Sequence, residues 1–106
     1  MIVTTGNSVE GREISEYLGI VRGIVVRAPT IGQGLAGGFK KLVGGNIEAY
    51  AAACESARQQ SSDRMLAQAR RIGADAIIAM RYDATEFGDS VTEVLAYGTA
   101  VKLRAK

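Results

Sequence analysis

Apolar residues return at every third or fourth position along one long stretch of the chain, which predicts an amphipathic helix from about Ile47 to Ile72. Ser61-Ser62-Asp63 lies in its middle and could kink the helix or restart it with a new cap. We expect one continuous helix. The residues predicted to share its apolar face are Ile47, Tyr50, Ala51, Cys54, Ala57, Ser61, Met65, Ala69 and Ile72.

Polar residues and a glycine mark both ends of this helix. Asn46 is placed to cap the first turn, in which Glu48 suits the positive end of the helix dipole. Arg70 and Arg71 suit the negative end, and Gly73 follows them as a terminator.

Four other segments are rich in β-branched and aliphatic residues and are predicted strands: Ile2 to Thr4, Ile20 to Arg27, Ala76 to Tyr82 and Val91 to Leu103. Residues 83–90 form a polar connection without a crossover helix, so we expect the last two strands to pair as an antiparallel hairpin. The predicted fold is α+β, in the order ββαββ, with one long helix on a curved and mainly antiparallel sheet.

The predicted sheet has no polar face. Alternate positions of the last strand carry large apolar residues on one side and the small residues Ala96, Gly98 and Ala100 on the other. The helix should lie on the small-residue side, where its backbone can come close. The other side would then be uncovered, and monomers rarely expose so large an apolar patch. We therefore expect copies of the chain to cover it by closing into a ring or barrel.

Composition adds limits on size, partners and location. The 106 residues leave room for a single domain, 1–106, and 47% hydrophobic with 23% charged residues is ordinary for a folded protein. The net charge of +2 comes from scattered basic residues, which argues against a nucleic-acid partner. We expect neither a signal peptide nor a membrane partner, and the cytoplasm is the expected location.

A glycine-rich string, Gly32-Gln33-Gly34-Leu35-Ala36-Gly37, has the spacing of a dinucleotide-binding turn. That turn must open a helix inside a parallel βαβ unit, and the predicted helix here starts only near Ile47. Lys40 and Lys41 do not complete a phosphate loop, because the Gly-Lys-Ser/Thr ending is missing. We expect a connecting loop and no cofactor.

Cys54 is the single cysteine and the chain has no histidine, so one chain cannot build a Cys/His zinc site or a Cys–His nucleophile pair. We expect Cys54 to be a buried structural thiol; the alternative is that symmetry gathers several copies of it around a soft metal. Two clusters of acidic residues lie in predicted turns or surface segments and could bind a hard cation weakly. We expect them to be solvated surface, because neither cluster has EF-hand spacing. They are Glu10, Glu13 and Glu16, and Asp83, Glu86 and Asp89.

Three charged residues lie within predicted strands: Arg22, Arg81 and Glu93. We expect them to form cross-strand or intersubunit ion pairs near the sheet edges. The alternative is that they build a catalytic site between subunits, which would leave no linear motif. The sequence contains no nucleophile elbow, zinc-protease helix or paired acid and base, so we expect no enzyme activity and assign no catalytic, cofactor or metal residues.

Several segments together resemble the YbjQ-like family of bacterial and archaeal proteins over nearly the whole chain. These segments are residues 17–23 (YLGIVRG), Gly44-Gly45, Tyr50, Arg64-Met65, residues 73–78 (GADAII), Arg81-Tyr82-Asp83 and, the most specific, residues 93–101 (EVLAYGTAV).

The resemblance implies a dodecin-like βαβ2 unit with an additional N-terminal strand, which closes into a pentameric barrel, alone or as two stacked rings. The family carries a heavy-metal-binding label, but the sequence has no Cys-x-x-Cys to support it. The expected function is that of a non-catalytic homo-oligomer, a pentamer or decamer, with a small ligand in its pore or intersubunit clefts. The alternative is a heavy-metal-binding protein that uses symmetry-related ligands.

Overall fold

A computed structural model describes residues 1–27, 47–87 and 91–106 of the protein. The strands form one four-stranded mixed sheet in the order β1-β3-β4-β2. The predicted α+β fold with element order ββαββ is confirmed. The elements are β1 (Ile2–Val3), β2 (Arg12–Arg27), α1 (Ile47–Arg71), β3 (Ala76–Phe87) and β4 (Val91–Ala105).

Strand β4 is the centre of the sheet, because it pairs antiparallel with both β2 and β3. The β3–β4 pairing runs from Ala76 opposite Val101 to Phe87 opposite Val91, so the predicted hairpin is confirmed. Strand β1 adds to the outer side of β3 in parallel, with Ile2 opposite Ala76.

Strand β2 begins at Arg12, eight positions before the predicted start at Ile20. The pairing with β4 shifts register after Ile14 and again after Tyr17, as β-bulges do. Each bulge moves the following side chains to the opposite face, so this half of the strand lacks the two-residue period by which a strand is recognised. Two carboxylates expected in a turn or surface segment therefore lie within a strand: Glu13 and Glu16.

Strand β3 continues to Phe87, past the predicted end at Tyr82. Asp83 and Glu86 therefore lie in the hairpin itself rather than in its connection, because polar residues are tolerated on strand positions that face solvent. Asp89 lies outside the described residues. A register shift between Ile78 and Arg81 accompanies a left-handed backbone at Ala79, whose φ is 53°.

Helix α1 is continuous through the Ser61-Ser62-Asp63 segment, as predicted. The Ser61 hydroxyl donates a hydrogen bond of 2.8 Å to the carbonyl oxygen of Arg58, so this buried polar group is satisfied inside the helix. Among residues 51–71 of the helix, the buried positions are spaced by four and are Ala57, Ser61, Met65 and Ala69.

The predicted stop at Gly73 is also confirmed. Its φ of 77° is a left-handed conformation that glycine adopts without steric cost. The amide of Ala74 donates to the Ala69 carbonyl (3.0 Å) and that of Gly73 to the Arg70 carbonyl (3.1 Å), which is the Schellman pattern. The predicted cap at Asn46 lies outside the described residues.

The main core lies between α1 and one face of the sheet. Ala96 and Ala100 are buried there in one cluster with Met65 and Ala69, as expected of the small-residue side of β4. The closest backbone approach, however, occurs at Gly23 of β2, where a Cβ would meet backbone atoms of the helix. Gly98 instead faces the bulge of β3, where a Cβ would lie 2.6 Å from Ile77 Cγ2.

The opposite face of the sheet was expected to be wholly uncovered, and at one end this expectation is wrong. Ala76, Ile78 and Val101 form a second buried cluster on that face. Val9, from the chain segment that leads into β2, packs against them, and so do Ile14 and Leu103. The N-terminal segment folds back over this end because its amides and carbonyls bond to β3, for example Thr4 N–H to the Ile77 carbonyl at 3.0 Å.

Candidate assembly face and cationic groove

The sheet face opposite α1 is open beyond the second buried cluster. Residues that pair directly across neighbouring strands point to the same face, so the register puts Arg22, Tyr97 and Arg81 in one row. We call this surface the open face. It consists of Tyr17, Ile20, Arg22, Ile24 and Val26 of β2, Glu93, Leu95, Tyr97 and Thr99 of β4, and Arg81, Asp83 and Thr85 of β3.

Large apolar side chains of the open face are in contact with solvent. The exposed fraction is 76% for Ile20, 67% for Tyr17, 53% for Val26 and 37% for Tyr97. Single exposed apolar residues are normal, but a group of them on one side of a sheet is typical of an interaction surface.

Arg22 and Arg81 flank Tyr97 on this face. The Arg81 guanidinium is held by the backbone of its own chain, because its Nη1 donates to the carbonyls of Thr5 (2.9 Å) and Met80 (2.8 Å). These contacts attach the N-terminal segment to β3 and leave Arg81 at the border of the open face.

Glu93 is half-buried between Val26 and Thr85, two rows from the arginines. Arg22, Arg81 and Glu93 therefore do not form the expected ion pairs within one chain, because the register separates the acid from both bases. Among the described residues, the ion pair that does form is Arg104 Nε with Glu13 Oε2 at 2.8 Å. Pairing between subunits stays a prediction.

A groove of about 340 Å³ lies between the free edge of β2 and the second half of α1. Helix side chains bond to the strand edge here: Gln68 Oε1 accepts the Arg22 amide N–H at 2.7 Å, and Arg64 Nη1 donates to the Ile24 carbonyl. Bonds of this kind protect an edge strand from pairing with another chain. The groove is lined by Arg22, Gly23, Ile24, Arg64, Ala67, Gln68 and Arg71.

Sequence reasoning did not single out Arg64, Gln68 or Arg71 as functional residues. These residues are four and three positions apart in the sequence, and this spacing places them in one row beside the buried stripe of the helix. Which strand edge that row would meet depends on how the helix crosses the sheet.

Cys54 is exposed, and the prediction of a buried thiol is wrong. Ala51 and Ser56 around it are exposed too, whereas burial begins at Ala57. The first turns of α1 with described side chains therefore lie beyond the area that this chain's sheet covers, although their apolar spacing is that of an inner face.

The described residues contain no group of three or more Cys, Asp and Glu side chains placed to hold a metal ion. In the same ranges, no helix has the run of apolar residues that crossing a bilayer would require. The glycine string of residues 32–37, together with Lys40 and Lys41, lies outside the described part of the chain.

Comparison with known proteins identifies the family. The model of the YbjQ family, described as "Putative heavy-metal-binding", matches residues 1–104. This chain belongs to the YbjQ-like family. The resemblance found in its sequence segments is thereby confirmed.

Curated relatives of this YbjQ-like chain match it over nearly its full length. A UPF0145 protein of Legionella pneumophila (strain Corby) is 59% identical over 101 residues, which are 95% of this chain and 96% of the relative. A UPF0145 protein of Francisella tularensis subsp. tularensis (strain WY96-3418) is 47% identical over 106 residues, 98% of this chain and 100% of the relative.

A solved structure shows the same fold. It is a DUF74-family protein from Pediococcus pentosaceus ATCC 25745, with a TM-score of 0.57, 14% sequence identity and coverage of 98% of both chains. At this identity the likeness concerns the fold alone.

Proposed function

We propose that this YbjQ-like protein acts as a non-catalytic homo-oligomer, a pentamer or a decamer, in which neighbouring copies cover the open face. The observation that carries this proposal is the exposure of Ile20 (76%) and Tyr17 (67%) on that face. Burying a side chain of this size contributes roughly 1.5–3 kcal/mol, so several per subunit would offset the cost of association.

The dimensions of the chain support coverage by other copies. Strand β2 has 16 residues, which at about 3.3 Å each reach roughly 53 Å. Helix α1 has 25 residues and at 1.5 Å each reaches only about 38 Å. One helix is therefore too short to cover the length of the sheet, and it lies on one face only.

The edges of the sheet support a ring rather than a two-fold dimer. In the described ranges, β3 has no neighbouring strand beside residues 81–87, because β1 pairs only at its start. The edge of β2 at residues 22–24 is already bonded to the helix. The two edges thus offer different surfaces, and contacts between unlike surfaces build cyclic rings where the rotation closes and open filaments where it does not, rather than two-fold dimers.

Native mass spectrometry of the untagged protein tests the proposal. We expect a pentamer or decamer, which Ile20→Asp should dissociate while far-ultraviolet circular dichroism stays unchanged. Ile72→Asp is the matched control, because Ile72 is 44% exposed at the end of the helix and away from the open face. A monomeric wild type, or Ile20→Asp and Ile72→Asp proteins with the same assembly, would refute the proposal.

The same measurement addresses the proposed small ligand in the pore or intersubunit clefts. Extra mass in fixed ratio to the ring would support a bound ligand, and a ring of bare protein mass after gentle purification would count against one. We also propose a cytoplasmic location, which fractionation of cells that produce the untagged protein would test.

Heavy-metal binding is the second candidate, and the exposed thiol of Cys54 is the observation that favours it. Because the described residues of one chain form no metal cluster, the ligands would have to come from symmetry-related copies. Elemental analysis should then find metal in fixed ratio to the oligomer and lose it in Cys54→Ser. Metal-free wild-type protein after reconstitution would exclude this candidate.

A further inference from the structure

The geometry points to an anion-binding site in the groove beside β2, with a small phosphate-bearing molecule as its ligand. Three arginine residues, Arg22, Arg64 and Arg71, line the groove, and no carboxylate is among the lining residues that the structure describes. Guanidinium groups bind phosphate through paired N–H donors, which gives both charge and shape recognition.

Hydrogen bonding inside the groove leaves mainly donors available to a ligand. The side-chain oxygen of Gln68 is already bonded to the Arg22 amide, so its NH₂ group is the part left for a guest. The Ile24 carbonyl is already bonded to Arg64, which uses one of its five N–H groups for this contact. A site whose remaining polar groups are donors and cations selects an anion.

The charge balance also favours an anion. The groove follows the last turns of α1, whose C-terminal carbonyls carry about half a negative charge. The two helix arginines that line the groove, Arg64 and Arg71, exceed this partial charge about fourfold. Arg64 and Gln68 are held in place by β2, so less side-chain entropy is lost on binding.

The size of the groove indicates a small guest. Its volume of about 340 Å³ is at the lower end of small-molecule sites. A phosphate or diphosphate group fits such a space, whereas a nucleic acid would need a longer basic surface. This inference does not depend on the number of subunits, because every lining residue belongs to one chain.

Titration calorimetry with inorganic pyrophosphate, on the dialysed protein, tests the inference. We expect saturable binding of pyrophosphate. Arg71→Ala should weaken it about tenfold or more, since the ligand loses a charge-assisted hydrogen bond to this arginine. Arg70→Ala is the matched control, because it removes the same charge from the neighbouring position, which does not line the groove. Its affinity should stay within about twofold of the wild type.

Gln68→Glu separates binding from folding. The new carboxylate can still accept a hydrogen bond from the Arg22 amide, so the strand edge stays bonded to the helix. A negatively charged oxygen, however, replaces the NH₂ donor of Gln68. Binding should be lost while assembly and circular dichroism are retained. The inference is overturned if the wild type binds no pyrophosphate, if Arg70→Ala weakens binding as much as Arg71→Ala, or if Gln68→Glu binds normally. Binding of oligonucleotides alone, with a steep salt dependence, would overturn it as well.

Discussion

Replacing Gly23 by alanine should loosen the contact between α1 and β2. An added Cβ would overlap the Ser61 carbonyl oxygen and lie 2.5 Å from the Met65 nitrogen and 2.8 Å from Arg64 Cβ. Two of these three atoms are helix backbone, held by hydrogen bonds, so they cannot rotate away as a flexible side chain would. The helix itself must move away from the strand.

The cost of this movement follows from what the helix buries. Overpacking a core costs about 1–3 kcal/mol, and Gly23→Ala should reach the upper end because Met65 and Ala69, each 0% exposed, lose contact with the sheet as the helix moves. A loss of about 3 kcal/mol is a large share of the roughly 5–15 kcal/mol that stabilises a folded domain. The expected decrease in Tm is roughly 12–24 °C.

Urea unfolding followed by circular dichroism measures this change, at one fixed protein concentration because association adds to the apparent stability. Gly6→Ala is the control: its Cβ would lie 3.4 Å from Thr4 Oγ1 and 3.7 Å from the Ser8 carbonyl oxygen, which are ordinary contacts. It should change the free energy of unfolding by less than about 0.5 kcal/mol. Equal stability of the Gly23→Ala and Gly6→Ala proteins would show that the helix does not cross β2 at Gly23.

Three further predictions concern single positions and use the same unfolding assay. Ala79→Gly should raise the free energy of unfolding by roughly 0.5–1 kcal/mol, because φ at Ala79 is 53° and glycine adopts this angle without strain. Ala84→Gly, at an exposed position of the same strand, should lower it. A lower free energy of unfolding in both variants would contradict this prediction. Gly73→Ala should cost about 1 kcal/mol, because its φ of 77° disfavours a Cβ, although the added Cβ would lie in ordinary contact with Lys102 Nζ at 3.9 Å. An unchanged urea midpoint would refute this. Glu13→Ala should lower the free energy of unfolding by less than about 0.5 kcal/mol, because its ion pair with Arg104 is exposed to solvent, with side chains 51% and 65% exposed. A decrease of more than about 1 kcal/mol would refute this prediction.

Features that depend on residues close in sequence were predicted correctly. The buried stripe of Ala57, Met65 and Ala69 follows from a helical period that is set by local backbone geometry. The stop at Gly73 follows from the ability of one residue to adopt a positive φ. The β3–β4 hairpin belongs to the same class, because a short polar connection allows few alternatives.

Features that depend on how elements pack were missed or predicted wrongly. The bulges of β2 conceal its first half, because each one reverses which side chains point to which face. The exposure of Cys54 could not be read from helical spacing, since spacing gives the direction of a side chain but not whether a strand lies beneath it. The parallel pairing of β1 with β3 likewise joins segments from opposite ends of the chain.

The sequence alone determined the family and the order of elements, because both depend on residue types and on the local period of the apolar residues. Only the tertiary structure decided which part of the second face stays open and which helix side chains meet the edge of β2. Arg22 and Arg64 lie 42 positions apart, and their meeting in one groove depends on the angle at which α1 crosses the sheet. That angle is set where Gly23 lets the two backbones touch.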